Sequence, residues 1–382
     1  MKTIKVLIAF INYGPYHIAR AKELLKYKEI NPIFLELSSS TLAHPWSVRR
    51  EDSIPLITLL NRPYERITKK ESWEMMKQKL EELDPDVFIG AGFGEPWIRK
   101  SFMLMKLKKK ATVLFFSTLK TDRKRFWIKE NFKKMFMNFL FDAALVGGKK
   151  HKDYLVDLGY PENKIWEYGE VVDNSFFVKQ SIQVKANEDV WRQKLSLPKN
   201  YFLYIGRMDP EKNLSFLLNA YKKYQLSGGM WDLILIGKGK EKEKLMDFVI
   251  SQKLYNIHFF DYLPTELLPP YYALAKAFIL PSLIEPWGLV VNEAMACGLP
   301  VIVSKNCGCV SELVSKENGF IFDPHNSEEL ALILLKISQM DKKLLASMSE
   351  CSQKKIELYS PQNWAKSIVE SSLFAWNSKK TF

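Results

Sequence analysis

The sequence predicts an α/β protein of two domains, each a parallel β-sheet covered by helices on both faces. Three observations predict it. The chain has 382 residues, and at roughly 100–200 residues per domain that length suits two cores. Short apolar runs alternate with segments of helical length, the pattern of βα units and parallel sheets. A polar, weakly patterned stretch over 174–198 divides this alternation into two series.

In chain order, residues 6–10 read as the first strand, 17–28 as a helix with basic residues outward, and 32–37 as the second strand. A helix is expected over 73–83, and strands over 86–90, 112–116 and 143–146. Residues 174–198, with a charged run near 187–194, read as the linker. Beyond it, strands are expected over 201–205, 233–236, 258–260, 277–280, 300–303 and 319–322. Helices are expected over 213–226, 240–253, 267–275 and 289–296, with a helical region from about Ser327. Ligands on such sheets bind beyond the carboxyl ends of the strands. The loops that follow strands are therefore where chemistry is sought.

Composition narrows the class. Apolar residues make up 47% of the chain, which fits a globular protein. The four cysteines, Cys297, Cys307, Cys309 and Cys351, are few and unevenly spaced, so no disulfide framework is expected. Cys307-Gly-Cys309 lacks the second ligand pair that a tetrahedral metal site needs. The apolar start of the chain is too short to span a bilayer and has no small-residue cleavage site, and no run of ~18 apolar residues follows. A soluble chain is expected, cytoplasmic or peripheral on the cytoplasmic face of a membrane.

The net charge of +13 is uneven, because residues 106–150 hold 13 basic and 3 acidic residues. A patch of that kind attracts anionic surfaces. Residues 122–141 intersperse basic with aromatic and Met residues, the composition of a helix that lies in a lipid interface or packs with a solvated basic edge. Contact with an anionic membrane through 106–141 is therefore an expectation. No nucleic-acid partner is expected, since no recognition motif accompanies the charge.

Two loops carry the functional signal. Glu285-Pro-Trp-Gly-Leu-Val-Val-Asn-Glu293 follows the strand at 277–280 and runs into a helix. Helix-start amides lack intrahelical partners and attract anions. Pro286 suits a helix entry, and Gly288 lets a ligand approach the backbone. Glu285 lies before the helix, where it meets what lies beyond a phosphate. Glu293, about two turns in, suits a vicinal diol. Gly206-Arg207-Met-Asp-Pro-Glu211-Lys212-Asn213 follows the strand at 201–205. Its Arg offers a planar fork and its Lys a point charge, and both can face a diphosphate.

These residues, with Gly237-Lys238-Gly239, the run through Glu293-Ala-Met-Ala-Cys-Gly-Leu-Pro300, and Gly308, Glu312 and Gly319, make the chain resemble the GT4-type retaining glycosyltransferases of GT-B fold. The match covers most of 201–325. The resemblance implies two Rossmann-like domains facing each other across a cleft. These are an acceptor-side domain over 1–180, onto which a helix at about 358–382 packs back, and a donor-binding domain over 181–357. It implies transfer of a hexose from a nucleotide-sugar to a hydroxyl on a glycan or lipid-linked acceptor, with retention, in cell-surface polysaccharide or glycolipid (lipopolysaccharide) assembly.

Catalytic duties are implied for Arg207 and Lys212 on the diphosphate, Glu285 on the donor sugar, and His17. Donor contacts are implied for Gly14, Gly206, Gly237, Lys238, Tyr262, Leu263, Trp287, Gly288, Leu289, Val290 and Glu293, the last on the ribose. No cofactor or metal is implied, since Arg and Lys neutralise the phosphates. The family's histidine after the strand at 112–116 is missing. Thr118 or Asp122 stands near its place. Gly14 and His17 lie in the first βα loop, and Gly90-Ala-Gly92-Phe-Gly94 is a weaker phosphate signal. A catalytically lost binding protein, and an epimerase or phosphorylase on the same architecture, are the rival readings.

Overall fold

The structure, a computed structural model, describes residues 3–42, 53–91, 93–121, 134 and 136–380. The chain divides into two compact units, Met1–Val172 with Ser360–Phe382, and Asp173–Tyr359.

The first unit is built on seven strands: β1 Ile4–Phe10, β2 Ile30–Ser40, β3 Leu56–Pro63, β4 Val87–Ala91, β5 Ala111–Phe116, β6 Ala143–Val146 and β7 Ile165–Glu167. They pair in the order β3-β2-β1-β4-β5-β6-β7, every pair parallel. β5 and β6 are buried along their whole length, which is why they read as unbroken apolar runs. Phe102 of the Pro96–Leu107 helix meets Phe88 at 5.0 Å and Phe141 at 4.8 Å between ring centroids. The Pro361–Asn377 helix packs on the Pro15–Leu24 helix and on β5 and β6. Its Trp364 stacks on Phe115 at 6.3 Å.

The second unit repeats the plan with β8 Tyr201–Ile205, β9 Asp232–Ile236, β10 Ile257–Phe260, β11 Ala277–Leu280, β12 Val301–Ser304 and β13 Gly319–Phe322. Their order is β10-β9-β8-β11-β12-β13, again all parallel. In each sheet the order reverses beside the first strand, between β1 and β4 and between β8 and β11. That reversal opens a crevice at the carboxyl ends.

Several sequence expectations need correction. β3, β7 and the Pro96–Leu107 and Lys149–Asp157 helices were not expected. Residues 174–198 are not a bare linker, since they hold helices Asn174–Lys185 and Glu188–Leu195. Asp173 caps the first of these by accepting from the Phe176 amide at 3.0 Å. Phe177, Ser181 and Val184 then fall at helical spacing and are buried. Burying Phe177 and Val184 contributes about 1.5–3 kcal/mol each. Phe176, Val178 and exposed Ile182 on the other faces blurred that stripe. The segment also serves the next helix, because Ser181 Oγ and Lys185 Nζ donate to the Cys297 carbonyl (3.2 and 3.0 Å) at the end of helix Leu289–Ala296. Of the basic amphipathic segment at 122–141, residues 122–133 and 135 lie outside the described residues, as does Gly92.

Candidate active site

The loops after β8 and β9 lock together through their backbones. Met208 N donates to the Lys238 carbonyl at 2.8 Å, Glu241 N to the Met208 carbonyl at 2.9 Å, and Gly206 N to the Ile236 carbonyl at 3.0 Å. Two glycines permit this approach. A Cβ on Gly237 would stand 1.9 Å from the Gly206 oxygen, and one on Gly239 2.4 Å from the Met208 carbonyl. The 206–213 loop is tied equally to the loop after β11. Leu283 N donates to the Glu211 carbonyl at 2.9 Å. Asn213, left-handed at φ +60°, donates its amide to the carbonyls of Pro324 (2.9 Å) and Pro281 (3.3 Å). Asn is among the few residues that tolerate that conformation.

This frame brings Lys212 to Glu285 across 73 residues of sequence, with Nζ 2.5 Å from Oε2. Their side chains are only 14% and 12% exposed, so the pair is shielded from the screening that weakens surface ion pairs. Arg207 is more open, at 44% exposure. Its guanidinium pairs with Asp209 and, at 2.6 Å, with Glu211. The other oxygen of Asp209 accepts from the Lys240 amide at 3.1 Å. Buried Tyr204 donates to the Arg207 carbonyl at 2.6 Å. Burial, reinforced by the charge of Glu285, holds its phenol well above the ordinary range, so it stays a donor.

Helix Leu289–Ala296 starts differently from the expectation. Gly288, at φ +104°, makes the turn into it, and a Cβ there would lie 2.8 Å from Leu280 Cδ2. Pro286 stands earlier, beside a parallel bridge between Glu285 and Cys307. Gly308 N donates to the Glu285 carbonyl at 2.9 Å, and a Cβ on Gly308 would meet the Pro286 oxygen at 1.7 Å. The Glu285 backbone is thus held by the Cys307–Gly308 step. The amides of Leu289 and Val290 belong to the first turn and have no intrahelical partner.

The carboxyl edge of the second sheet therefore gathers Gly206, Arg207, Lys212, Gly237, Glu285, Gly288, Leu289 and Val290. Lys238 and Tyr262-Leu263 join them after β9 and β10, with Lys238 Nζ 5.3 Å from the Tyr262 ring centroid. Two expected donor residues point inward instead. Trp287 is 4% exposed and donates Nε1 to Asn292 Oδ1 at 2.9 Å. Glu293 is fully buried, and Tyr272 donates its hydroxyl to Oε2 at 2.7 Å. Residues 291–296 of that helix are all buried, so Glu293 shares its surroundings with Tyr272.

In the first unit, Gly14 and His17 form the turn after β1. The Gly14 amide donates to His17 Nδ1 at 2.9 Å. The ring lies 4.6 Å from Phe10 and 5.0 Å from Tyr13 between centroids. Burial first, and the charge of Arg20 second, push the His17 pKa down to about 3, so the imidazole is neutral near pH 7. The Tyr13 amide donates to Glu36 Oε2 at 2.9 Å, and Thr58 donates to Glu36 Oε1 at 2.6 Å. Glu36 is 2% exposed. Sequence reading missed it, although one acid inside the apolar run Ile33-Phe-Leu-Glu-Leu37 was the available signal. Among the described residues, no group of three or more His, Cys, Asp or Glu side chains is placed to hold a metal ion.

Comparison with known proteins locates the resemblance. Residues 187–355 match the family described as glycosyl transferases group 1. The O-antigen chain mannosyltransferase B of Escherichia coli is 37% identical over 146 residues, which are 37% of this chain and 38% of that protein. The chain thus spans well under half of that relative. Among solved structures, sucrose-phosphate synthase from Thermosynechococcus elongatus aligns with TM-score 0.76 at 18% identity, covering 96% of this chain and 98% of that one. HepE from Anabaena, solved with UDP and glucose, aligns with TM-score 0.73 at 15% identity over 96% and 98% of the two chains. The chain has the GT-B fold, and its residues 187–355 are similar to the glycosyl transferases group 1 family.

Proposed function

We propose that this chain is a retaining hexosyltransferase. It moves a hexose from a nucleotide-sugar to a hydroxyl of a glycan or lipid-linked acceptor, without a metal, in the assembly of cell-surface polysaccharide or glycolipid. The observation that carries the reading is the meeting of Lys212 with Glu285, beside Arg207, at the carboxyl edge where the second sheet reverses its strand order. The E. coli relative is named an O-antigen chain mannosyltransferase, and HepE was solved with UDP and glucose. The first name supports a hexose as the group transferred and a glycan chain as product, and the second supports a nucleotide and a hexose as ligands.

In this reading the donor diphosphate lies on Arg207 and Lys212, with the first amides of helix Leu289–Ala296 beside it. Glu285 accepts hydrogen bonds from the donor sugar. As the bond from the anomeric carbon to phosphate breaks, charge grows on the departing diphosphate, and the two fixed cations stabilise it. The acceptor oxygen bonds to the same face of the carbon, and its proton passes to the departing phosphate oxygen. Lys212 already holds Glu285, so the phosphate-binding and sugar-binding groups arrive as one unit. Glu293 serves the ribose only once its carboxylate is shared between Tyr272 and the ligand.

The test is release of nucleoside diphosphate from a panel of hexose donors. Lys212→Ala and Glu285→Ala are expected to lower turnover by roughly 100- to 1,000-fold. Turnover equal to wild type in both variants overturns the assignment.

The membrane expectation gains a partial footing. Leu107 is 82% and Phe139 67% exposed, near Lys108, Lys109 and Lys134, which are also exposed. Among the described residues, no helix is long and apolar enough to cross a membrane. Apolar side chains amid basic ones suit peripheral docking to anionic lipid on the cytoplasmic face, at ~1 kcal/mol per basic residue near the surface. Co-sedimentation with phosphatidylglycerol vesicles is expected to fall as salt rises. Binding indifferent to both lipid charge and salt contradicts it.

A further inference from the structure

The resemblance implies a catalytic duty for His17, but nothing in the transfer reaction or the comparisons assigns Glu36 or the relay by which the first βα turn holds that histidine. Glu36 is a buried carboxylate on β2, in register with Phe10, the last residue of β1, and with Thr58 on β3. Burying a carboxylate is unfavourable unless hydrogen bonds replace its water. Here Thr58 Oγ1 donates to one oxygen and the Tyr13 amide to the other. In nucleotide-binding sheets an acid at the end of the second strand grips a ribose. Both oxygens of Glu36 are instead engaged by protein donors, so its duty lies with the turn.

The next amide along, that of Gly14, donates to Nδ1 of His17. A nitrogen that accepts a hydrogen bond carries no proton, so a neutral imidazole must carry its proton on Nε2. Two consecutive amides are therefore spoken for, the first by Glu36 and the second by His17. Glu36 fixes the peptide whose neighbour fixes the imidazole. Tyr13 strengthens the arrangement, since its hydroxyl donates to the Ile8 carbonyl at 3.1 Å and its ring stands 6.1 Å from Phe34. Among the described residues no protein acceptor takes the Nε2 proton. The turn sits where the first sheet reverses its strand order, the crevice in which such sheets hold ligands.

We propose that Glu36 is a positioning residue for the Tyr13–His17 turn, and that His17 acts from it as a neutral hydrogen-bond donor, through Nε2, to a hydroxyl or phosphate oxygen of the bound ligand. A general-base role through Nδ1 is excluded by the same geometry, because that lone pair is occupied. The ligand half of the proposal rests on the transferase reading above, and the tautomer half does not.

The experiment joins two readouts on the full chain. Nitrogen-15 NMR of histidine-labelled protein at pH 7, assigned with His17→Asn, is expected to show Nδ1 unprotonated and Nε2 protonated. Glu36→Ala is expected to give a mixture of tautomers. Glu36→Gln, which still offers the Tyr13 amide an oxygen, is expected to restore the wild-type pattern. A proton on Nδ1, or an imidazolium, overturns the relay, and the wild-type spectrum alone decides this if Glu36→Ala does not fold.

The second readout is nucleoside diphosphate release. His17→Ala is expected to slow it roughly ten-fold, the scale of one lost hydrogen bond, with Glu36→Ala following it and Glu36→Gln close to wild type. Unchanged turnover in His17→Ala overturns the donor role. If wild type releases nucleoside diphosphate from no donor, the transferase reading fails and the donor role with it. The tautomer result then still decides the relay.

Discussion

The two sheets share one strand order and differ at their carboxyl edges. In the second unit the edge is built of charge. Lys212 is locked to Glu285, Arg207 to Asp209 and Glu211, and glycines at 237, 239 and 308 let the loops pack on backbone. In the first unit the edge is aromatic and neutral, with Phe10, Tyr13 and His17 in contact over one buried acid, Glu36. The same crossovers therefore carry two kinds of edge, one lined with paired charges and one with aromatic rings and a neutral imidazole. Architecture sets where a ligand lies, and loop residues set what it is.

The contrast can be broken at several points. Lys212→Ala carries the largest expected effect on turnover, well beyond that of His17→Ala. Comparable losses in the two variants would erase the division of labour between the edges.

Glycine substitutions come next and read stability. Gly237→Ala would drive a Cβ to 1.9 Å from a carbonyl oxygen at φ +150°, whereas a Cβ on Gly94 of the first unit meets nothing within 4 Å. Overpacking of a fixed backbone costs about 2–3 kcal/mol, so Gly237→Ala is expected to lower the Tm of its unit by roughly 4–10 °C. Gly94→Ala is expected to stay within about 0.5 kcal/mol of wild type. Calorimetric scans of both variants decide this, and equal shifts would mean that the interlocked loops have no special intolerance.

Trp287→Phe carries the smallest expected effect. It removes the hydrogen bond to Asn292 at a cost of about 1 kcal/mol while leaving nucleotide affinity unchanged. A ten-fold loss of nucleotide affinity in that variant would return Trp287 to the ligand site.

Most of the fold was legible in the sequence because buried parallel strands are apolar runs, as at β5, β6, β8 and β11. The elements missed were those with mixed surfaces. β3 runs Leu-Ile-Thr-Leu-Leu-Asn-Arg-Pro and is nowhere fully buried. The Asn174–Lys185 helix buries a narrow stripe, while Phe176, Val178 and Ile182 on its other faces blur the period. At the site, loops close to their strands were readable, since Arg207, Lys212 and Glu285 follow β8 and β11 directly. Side-chain direction was not readable. Sequence places Glu293 on a helix, but only packing shows that its face is turned to Tyr272 and the core. The Pro286-Trp287 step likewise resembled a helix entry, while Gly288 makes the actual turn. Glu36 escaped because one acid in an apolar strand has no local pattern, and its partners lie 22 and 23 residues away.

The most direct test of the charged edge is a calorimetric titration of UDP, GDP and ADP into wild type, Arg207→Ala and Lys212→Ala. The account predicts that wild type binds at least one of the three nucleotides, and that each variant binds it at least ten-fold more weakly. Equal affinity in all three proteins, or no binding of any nucleoside diphosphate by wild type, would contradict it.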